Sequence, residues 1–541
     1  MDILAELQQA DLPDALKERL LTAMREQACA VVEQSNTVAE QQALLAKCNH
    51  ALKNQSIKID LLTLELAHLK RLRFGQKSEA YRHLQPDLFE ETKAEDLAAI
   101  EAELEEALAA APATAPARPA RPKTSRPPLP EHLERVVHRH DPECCTCGQC
   151  GGALTLIREE ISEKLEIIPS RFIVHQHIYP QMACRPCETI QANPVPPALI
   201  DGGFAGPGLL AWVVTSKFLD HIPLYRQESI AAREGVTLAR STLAGWVGKI
   251  GVALSPLSVR LADKLRGAQV LHADETPVAQ LSPGQGKTHR SYLWVYRSND
   301  LEGGPPIVVF DYQTGRSGQH ARDFLQDWRG HLMVDDYGGY KSLLSEEGMT
   351  ELACLAHIRR KYVDLYQANQ SPIADEAIRR IGELYAIEQR GRDLSADERR
   401  QLREWEAIPR LASMQSWLIA TRATVAESSG TAKAMDYGLR RWPALERYAR
   451  SGILPIDNNP CENAIRPVAV GKKNWMFMGS ERAGRRAASL LTLLGTARLN
   501  GLDPALWLRD TLEKLPSWPN SRLDELLPLR PNADPQAPTL P

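Results

Sequence analysis

Three acidic residues stand where a short apolar run ends or a helix is about to begin. One apolar run leads to Asp274 in "AQVLHADETPV", another leads to Asp335 in "GHLMVDDYGGY", and Glu462 follows "LPIDNNPC". Two carboxylates brought close together repel each other unless cations lie between them, and Mg²⁺ prefers such oxygen ligands. Two metal ions can activate a water or hydroxyl and stabilise the leaving oxygen in phosphoryl transfer. The three residues are therefore candidate catalytic ligands of Mg²⁺.

Glu462 has a competing interpretation as part of a helix cap. With Asn459 as N-cap and Pro460 as the first helical residue, Glu462 falls at the third helical position and completes a capping box. The following segment favours chemistry, because residues 463–498 hold seven basic residues against the single acid Glu481. A DNA strand approaching two cations needs such positive charge. The basic residues are Arg466, Lys472, Lys473, Arg482, Arg485, Arg486 and Arg498.

The elements around these acids follow an order typical of nuclease cores. The strand-like runs "SYLWVYRS" and "PIVVFDY" lie between the two aspartates, and "ELACLAHIRRKY" reads as a strand that turns into a helix. This β-β-β-β-α order, with carboxylates closing the first and fourth strands, is that of a ribonuclease-H-like α/β core. In such a sheet those two strands are adjacent, so Asp274 and Asp335 can face one another. We expect Glu275 to face away from the metals, either solvated or behind the ligands.

Six of the ten cysteines lie in "CCTCGQC" (144–150) and "CRPC" (184–187). Clustered C-x-x-C pairs in a cytosolic chain indicate a metal rather than disulfides. Four thiolates close the tetrahedral shell of a structural zinc. We choose Cys147, Cys150, Cys184 and Cys187 as ligands, because Gly151 and Gly152 follow the first pair, although Cys144 with Cys147 has the same spacing. The stretch "EKLEIIPSRFIVHQHIYP" between the pairs predicts two strands with a turn at Pro169 and Ser170.

The segment "LYRQESIAAREGVTLARSTLAGWVGKI" (224–250) predicts two helices flanking a glycine turn. This pattern is typical of a helix-turn-helix, whose second helix would present Arg240, Ser241 and Thr242 to base edges or phosphates. Plain helix packing explains the same pattern about equally well.

Three further residues are candidate DNA contacts. His357 and Arg360, just past the fifth strand, could contact the scissile phosphate. Trp475 in "KKNWMF" could stack on an unpaired base. A buried, satisfied histidine and a core aromatic are the alternatives.

A heptad pattern precedes these modules. One position reads Val31, Val38, Leu45, Leu52, Ile59 and Leu66, and its partner position becomes apolar only towards Leu62 and Leu69. This favours a coiled coil and a homo-oligomer over an amphipathic helix packed on its own protein. The Pro/Ala-rich tract "APATAPARPARPKTSRPPLP" (111–130) then predicts a stiff linker.

Composition limits the classes to which the chain can belong. The 541 residues are 43% apolar and 25% charged, which is typical of a folded protein of several domains. No run of 18 apolar residues and no signal-peptide core occurs, so we expect a cytoplasmic, nucleoid-associated protein without a membrane partner. Net charge is only −3, so affinity for nucleic acid must come from local patches.

The sequence as a whole resembles the insertion-sequence-66 type of bacterial DDE transposase, specifically the large transposase subunit. The resemblance includes "RFGQKSE", "ISEKLEIIP", "HADETPV", "VDDYGGY", "CLAHIRRKY", "LPIDNNPCENAIRPVAVGKKNWMFMGS" and "TARLNGLDP". It implies a catalytic triad of Asp274, Asp335 and Glu462 that binds two Mg²⁺ or Mn²⁺ ions. It also implies cleavage and joining of transposon ends without a covalent protein–DNA intermediate, with terminal inverted repeats and target DNA as partners and accessory proteins of the same element. Asp336 departs from the family, which usually has a small residue there.

We therefore predict a multidomain α+β protein. Two alternatives are a sequence-specific DNA-binding regulator with an inactive nuclease core, and a structural or RNA-directed nuclease. The predicted segments are N-terminal helices (1–30), coiled coil (31–75), acidic helix and linker (76–130), zinc module (131–200), helix-turn-helix-like region (201–260), first part of the nuclease core (261–363), helical insertion (364–450), core completion (451–515) and tail (516–541).

Overall fold

The computed structural model describes residue 62 and residues 129–530, except 130, 132, 142–151, 153–154, 169–170 and 283–286. The predicted coiled coil, apart from Leu62, lies outside the described residues. So do most of the predicted linker and the first cysteine cluster, with Cys144, Cys147 and Cys150.

A first sheet occupies the region of the predicted zinc module. Its strands are β1 (Arg135–Arg139), β2 (Thr155–Ile168), β3 (Arg171–Cys184) and β4 (Thr189–Ala192). The strand order is β1-β3-β2, and β4 pairs with β3. β2 and β3 pair antiparallel from Thr155↔Ala183 to Ile168↔Arg171, so the predicted two-stranded hairpin is confirmed.

A second, mixed sheet holds the two candidate aspartates. Its strands are β5 (Val270–Ser282), β6 (Lys287–Ser298), β7 (Val308–Gln313), β8 (Gly330–Val334), β9 (Met349–Ala353) and β10 (Phe477–Met478). The order is β7-β6-β5-β8-β9, with β10 also paired to β5. β5, β6 and β7 are antiparallel neighbours, whereas β8 runs parallel to β5 and β9 runs parallel to β8. Residues 293–296 of β6 are fully buried, as expected for a strand covered on both faces.

β5 is longer than the sequence predicts, because Asp274 lies inside it rather than at its end. β5 pairs with β6 as far as Ser282↔Lys287, but its pairing with β8 stops at His272↔Met333. The strand therefore leaves its β8 neighbour just before Asp274 and continues as a hairpin with β6.

Helices on one side share a hydrophobic core with this sheet. They are α1 (Pro207–Phe218), α2 (Leu224–Arg233), α3 (Arg240–Ala253) and α4 (Ser255–Leu265) before the sheet, and α13 (Glu481–Leu499) and α14 (Pro504–Lys514) after it. Edge strand β7 is covered by α13, since Thr492 and Thr496 accept hydrogen bonds from Phe310 N at 2.9 Å and Val308 N at 3.2 Å.

The predicted helix pair of 224–250 is present as α2 and α3. Gly235 turns the chain between them with φ +74°, which glycine adopts without strain. Most of α3 is buried in the core shared with the sheet, and a Cβ placed on Gly251 would come within 2.9 Å of the Arg486 side chain. The pair therefore packs as part of the core rather than as a free-standing module.

The remaining helices frame the candidate site. Within the sheet region lie α5 (Gly318–Leu325) and α6 (Lys341–Leu344), and α7 (Leu355–Asn369) follows β9 directly, as predicted. A second core is formed by α7 with α8 (Pro372–Arg390), α10 (Ile408–Arg422) and α11 (Gly430–Leu445); the short α9 (Ala396–Leu402) lies between α8 and α10. The chain returns to the sheet through α12 (Asn459–Trp475).

No single helix among the described residues is long and apolar enough to span a membrane. The α3–α4 pair meets the length and composition requirement only when both helices are counted across a 44° bend.

Candidate active site

Strands β5 and β8 bring Asp274 and Asp335 to the same level of the sheet. The last registered pair of these parallel strands is His272↔Met333, and each chain then runs two residues further to its aspartate. Local hydrogen bonds hold both side chains. Asp274 Oδ1 accepts from Glu275 N at 2.8 Å, and Asp335 Oδ1 accepts from Tyr337 N at 2.9 Å.

Asp274 is affected by the other acids of the site. Burial, first, and then the negative charges of Glu275, Asp335 and Glu462 together raise the pKa of the Asp274 carboxyl to about 7, against a hydrogen bond from the Glu275 backbone that lowers it. Asp335 and Glu462 thus lie within electrostatic range of Asp274. A divalent cation among these carboxylates would relieve their repulsion.

Asn458 fixes the start of the helix that bears Glu462. Its side chain is fully buried: Nδ2 donates to Ala273 O at 3.0 Å, and Oδ1 lies 3.0 Å from His272 Nδ1. Its backbone N donates to Cys354 Sγ at 3.2 Å, at the residue that precedes α7. The start of α12 is therefore fixed against β5 and α7 together, and Glu462 follows within the first turn.

The capping box considered for Glu462 does not form. Asn458 is the N-cap residue and makes no side-chain cap bond, while Asn459 is already helical. Asp457 instead accepts from Asn459 N at 3.1 Å and from Asn459 Nδ2 at 2.7 Å. Glu462 lies one residue further into the helix than a capping box requires, so its carboxylate is left for other contacts.

Those contacts come from the start of α7. His357 Nε2 lies 3.7 Å from Glu462 Oε1, and Arg360 Nη2 lies 3.5 Å from Oε2. The potential ligand atoms of Cys354, His357 and Glu462 lie within 4.8 Å of one another, a grouping that could hold a metal ion. Glu462 Oε1 is buried and has no hydrogen-bond donor among the residues that the structure describes. A buried, undonated carboxylate oxygen fits a cation ligand.

The two neighbouring acids are engaged elsewhere. Glu275 is buried, so the solvated role considered for it is wrong; Arg316 Nε donates to its Oε1 at 2.6 Å and Tyr340 OH to its Oε2 at 3.2 Å. Asp336 Oδ1 accepts from Arg441 Nη1 at 2.8 Å. Each has a cationic partner, whereas Asp274 has none among the residues that the structure describes.

Three residues that support the site were missed by sequence reasoning. His272 and Asn458 stand inside "HADETPV" and "LPIDNNPCENAIRPVAVGKKNWMFMGS". For His272 the available signal was a polar residue in an otherwise apolar run, whereas Asn458 lies among other polar residues. Arg441 lies on α11 in the helix-rich stretch, and nothing in its local sequence marks it.

The predicted basic residues separate into exposed and engaged groups. Arg466 and Lys473 are exposed on α12, and Arg360 is exposed on α7 beside Glu462. Lys472 Nζ bonds Thr276 Oγ1 at 3.4 Å and Pro277 O at 3.2 Å, so it is fastened to β5.

The basic residues of α13 that were predicted to contact DNA differ in how exposed they are. Arg485 is exposed and paired with Glu481, and Arg482 is half-buried. Arg486 is buried, at 5% exposure, and does not offer its guanidinium to a surface. Trp475, at the end of α12, packs partly buried against the hydrophobic core.

On α3 the first residues remain accessible. Arg240 Nη2 pairs with Glu228 Oε2 at 3.1 Å, Ser241 is exposed and Thr242 is half-buried. Only this end of the helix is open, because the residues after Thr242 are largely buried.

Of the four chosen zinc ligands, the structure describes Cys184 and Cys187. Cys184 is buried at the end of β3, and Cys187 is half-buried in the turn before β4. The antiparallel pair Cys184↔Thr189 closes this turn, so the C-x-x-C spacing forms a tight knuckle of the kind that zinc ribbons use.

Comparison with known families agrees with this arrangement. Residues 202–486, more than half of the chain, match the model of the "Transposase IS66 family". The chain belongs to the IS66 transposase family. Residues 492–529 match the "IS66 C-terminal element", residues 144–188 the "zinc-finger binding domain of transposase IS66", and residues 61–137 the "Transposase C of IS166 homeodomain". The family is one of DNA-processing enzymes, and this member has zinc-finger and DNA-binding modules.

Similar full-length proteins occur in Sinorhizobium fredii. The "Uncharacterized protein y4qI" is 34% identical over 96% of this chain and 97% of its own length. "Uncharacterized protein y4hP" is 36% identical over 86% of this chain and 88% of its own length, and "Uncharacterized protein y4jD" is 36% identical over 75% and 82%. This chain therefore resembles the first of these proteins in sequence over nearly its whole length.

Proposed function

We propose that this IS66 transposase cleaves and joins DNA at the ends of its insertion sequence by metal-dependent phosphoryl transfer. Asp274, Asp335 and Glu462 are the proposed ligands of two Mg²⁺ or Mn²⁺ ions. The observation that carries the proposal is that Asp335 and Glu462 lie within electrostatic range of Asp274, whose pKa is raised to about 7 by burial and by its acidic neighbours. Perturbed carboxyls of this kind are typical of functional sites.

The sheet supports a ribonuclease-H-like catalytic core. Counted from β5, three antiparallel strands are followed by two strands parallel to the first, in the spatial order third-second-first-fourth-fifth. The first and fourth strands carry the aspartates, and the returning helix α12 carries the glutamate. The proposed triad therefore comes from the positions that such a core uses.

Asp274, Asp335 and Glu462 would hold the divalent ions, which would supply activation of the attacking oxygen and stabilisation of the leaving oxygen. The chain's own contribution is position. The hydrogen bonds of Asn458 to His272 and Ala273 fix the start of α12 against β5, which supports a role of Glu462 beside the aspartates. Arg360, 3.5 Å from Glu462 and exposed, is placed to donate hydrogen bonds to a phosphate that approaches the site.

The DNA strand would lie across the exposed basic residues of α7 and α12. Arg359, Arg360 and Lys361 are exposed on α7, and Arg466 and Lys473 are exposed on α12. Glu462, Arg466 and Lys473 share one helical face, because spacings of four and seven residues return to the same side of an α-helix. We call this set the α7–α12 basic surface. It supplies local positive charge in a chain whose net charge is −3.

The other modules have supporting roles in this proposal. A structural Zn²⁺ is held by Cys147, Cys150, Cys184 and Cys187, and the family's zinc-finger match over 144–188 supports it. Residues 31–75 would join copies of the chain into a homo-oligomer that pairs two transposon ends.

The test is incubation of purified protein with labelled end-bearing DNA and Mg²⁺, scored for strand cleavage. We expect cleavage by the native protein, none in chelator, and loss by orders of magnitude in Asp335→Asn. Asp336→Asn is the matched control, because its remaining oxygen can still accept from Arg441. Equal cleavage by Asp335→Asn and the native protein, or none by the native protein with Mg²⁺ or Mn²⁺ on any end sequence of its element, would overturn the proposal.

A further inference from the structure

Four histidines share one face of the β1–β4 sheet. His138 lies on β1 and His140 directly after it, while His175 and His177 lie on β3. The strands pair in parallel with His138 opposite His177. Side chains two residues apart point to the same side of a strand, so all four rings project together. We call this set the imidazole face.

The ring nitrogens approach one another in two pairs. His138 Nε2 lies 2.8 Å from His175 Nδ1, and His140 Nε2 lies 3.1 Å from His177 Nδ1. Zinc–imidazole bonds of about 2.0–2.1 Å place two neighbouring nitrogens roughly 3.0–3.4 Å apart. Each pair is therefore close to the spacing of two ligands on one metal ion. It also fits a single N–H···N bond between neutral rings, which is the alternative that the experiment must exclude.

The surroundings suit a metal as well as a hydrogen bond. The His177 ring stacks against the rings of His138 and His140, with centroids 5.0 and 5.4 Å away. Tyr179 stacks on His140 at 4.8 Å between ring centroids and closes one end of the row. On β2, Lys164 pairs in register with His175. The Lys164 Nζ donates a hydrogen bond to Gly203 O at 2.7 Å. The negative charge of Glu166 near His175 opposes the positive charge of Lys164.

We propose that the imidazole face binds a divalent transition-metal ion of the zinc, copper and nickel class. His138 and His175 supply one pair of nitrogens, and His140 and His177 supply a second, so the face holds up to two ions. Imidazole nitrogen suits these metals better than it suits Mg²⁺.

This site is separate from the thiolate zinc proposed at the cysteine knuckles. Cys184 lies seven residues beyond His177 on β3 (184 minus 177), which is roughly 23 Å along an extended strand. The imidazole face therefore offers nitrogen ligands without sulfur, and the two sites have different spectra.

The test uses the full-length protein with its zinc in place, titrated with Co²⁺. We expect ligand-field bands in the visible region without the near-ultraviolet charge-transfer band of cobalt–thiolate bonds. The double variant His138→Gln/His177→Gln removes one nitrogen from each pair. Loss of a residue that only supports a metal ligand costs about 10- to 100-fold in metal affinity. Because this double variant removes ligands themselves, it should weaken Co²⁺ binding by more than that.

His289→Gln is the matched control, since His289 is an exposed histidine of β6. It should bind Co²⁺ as the native protein does. An unchanged zinc content in every variant shows that the zinc module is still folded. If the native protein shows no nitrogen-only spectrum, or if the double variant keeps full affinity with its zinc intact, the paired rings are only hydrogen-bonded and the proposal is wrong.

Discussion

Two regions of this protein hold charged side chains partly or fully shielded from water, and they differ in how those charges are paired. At the candidate active site, Asp274, Asp335 and Glu462 carry like charges, and the pKa of Asp274 is raised to about 7. In the helical segment, Arg403 is fully buried and its guanidinium donates to both oxygens of Glu388, with further bonds to Tyr448 O at 3.2 Å and Leu454 O at 2.9 Å. Among the described residues of the first region, Glu462 has only the long contacts of Arg360 and His357, at 3.5 and 3.7 Å, whereas the second region pairs its buried charge with short hydrogen bonds.

This difference separates function from architecture. A buried charge with all its partners stabilises one arrangement of the chain, and removal of one partner is costly. Carboxylates that raise one another's pKa weaken the protein by themselves, and such groups are typical of functional sites. The comparison predicts that substitutions in the first region chiefly reduce activity, whereas substitutions in the second region reduce stability.

The largest expected effect is on catalysis at Glu462. In Glu462→Gln the loss of one negative charge should reduce cleavage of end DNA by roughly 10²–10³-fold or more, because metal positioning and charge stabilisation are lost. DNA binding and the melting temperature of the metal-free protein should be retained. Cleavage and binding assays on the same labelled DNA separate the effect on catalysis from the effect on binding.

Glu481→Gln is the control, a glutamate in the first turn of α13. It should cleave DNA at the native rate. Near-native cleavage by Glu462→Gln would mean that the third ligand lies elsewhere.

The second effect is on stability at Arg403. Arg403→Met should lower the free energy of unfolding by about 3–5 kcal/mol, because Glu388 and several carbonyls lose their donor inside the core. Arg400→Met, nearby in sequence but half-exposed and paired with Glu404 at 3.1 Å, should cost roughly 0–1 kcal/mol. Urea denaturation of both variants measures the difference. Equal losses would show that the buried network is not what stabilises this segment.

The third effect is a pH dependence at Asp274. Its folded-state pKa of about 7 lies above the unfolded value, so the folded protein holds an extra proton and loses the associated stability as pH rises through about 7. Metal-free native protein should therefore melt lower at about pH 8 than at about pH 6, relative to Asp274→Asn. Mg²⁺ should restore the loss in the native protein. Thermal melts across this range give the difference profile, and a flat profile contradicts the assignment.

The smallest effect is on DNA binding by the α7–α12 basic surface. Lys473→Ala should weaken binding uniformly across sequences and reduce the salt dependence by about one counterion. Lys514→Ala on α14, where Nζ pairs with Asp510 at 2.7 Å, is the control. An unchanged salt slope in Lys473→Ala would place the DNA elsewhere.

Local pattern predicted much of the fold. The β2–β3 hairpin, the adjacency of the strands that carry Asp274 and Asp335, and the β9-to-α7 transition follow from runs of a few residues, and all are confirmed. The buried guanidinium of Arg486, among basic residues predicted to contact DNA, could not be foreseen. Helix periodicity shows which residues share a face, but not which face meets another element.

The sequence by itself determined the chemistry that is available: two aspartates after apolar runs, a glutamate at a helix start, two cysteine clusters and a basic stretch after Glu462. Tertiary structure alone decided which charges are paired. Asp336 meets Arg441 from 105 residues away, and His272 meets Asn458 across 186 residues. Burial and pairing set the free energy of a charged group, and both depend on neighbours that sequence spacing does not reveal.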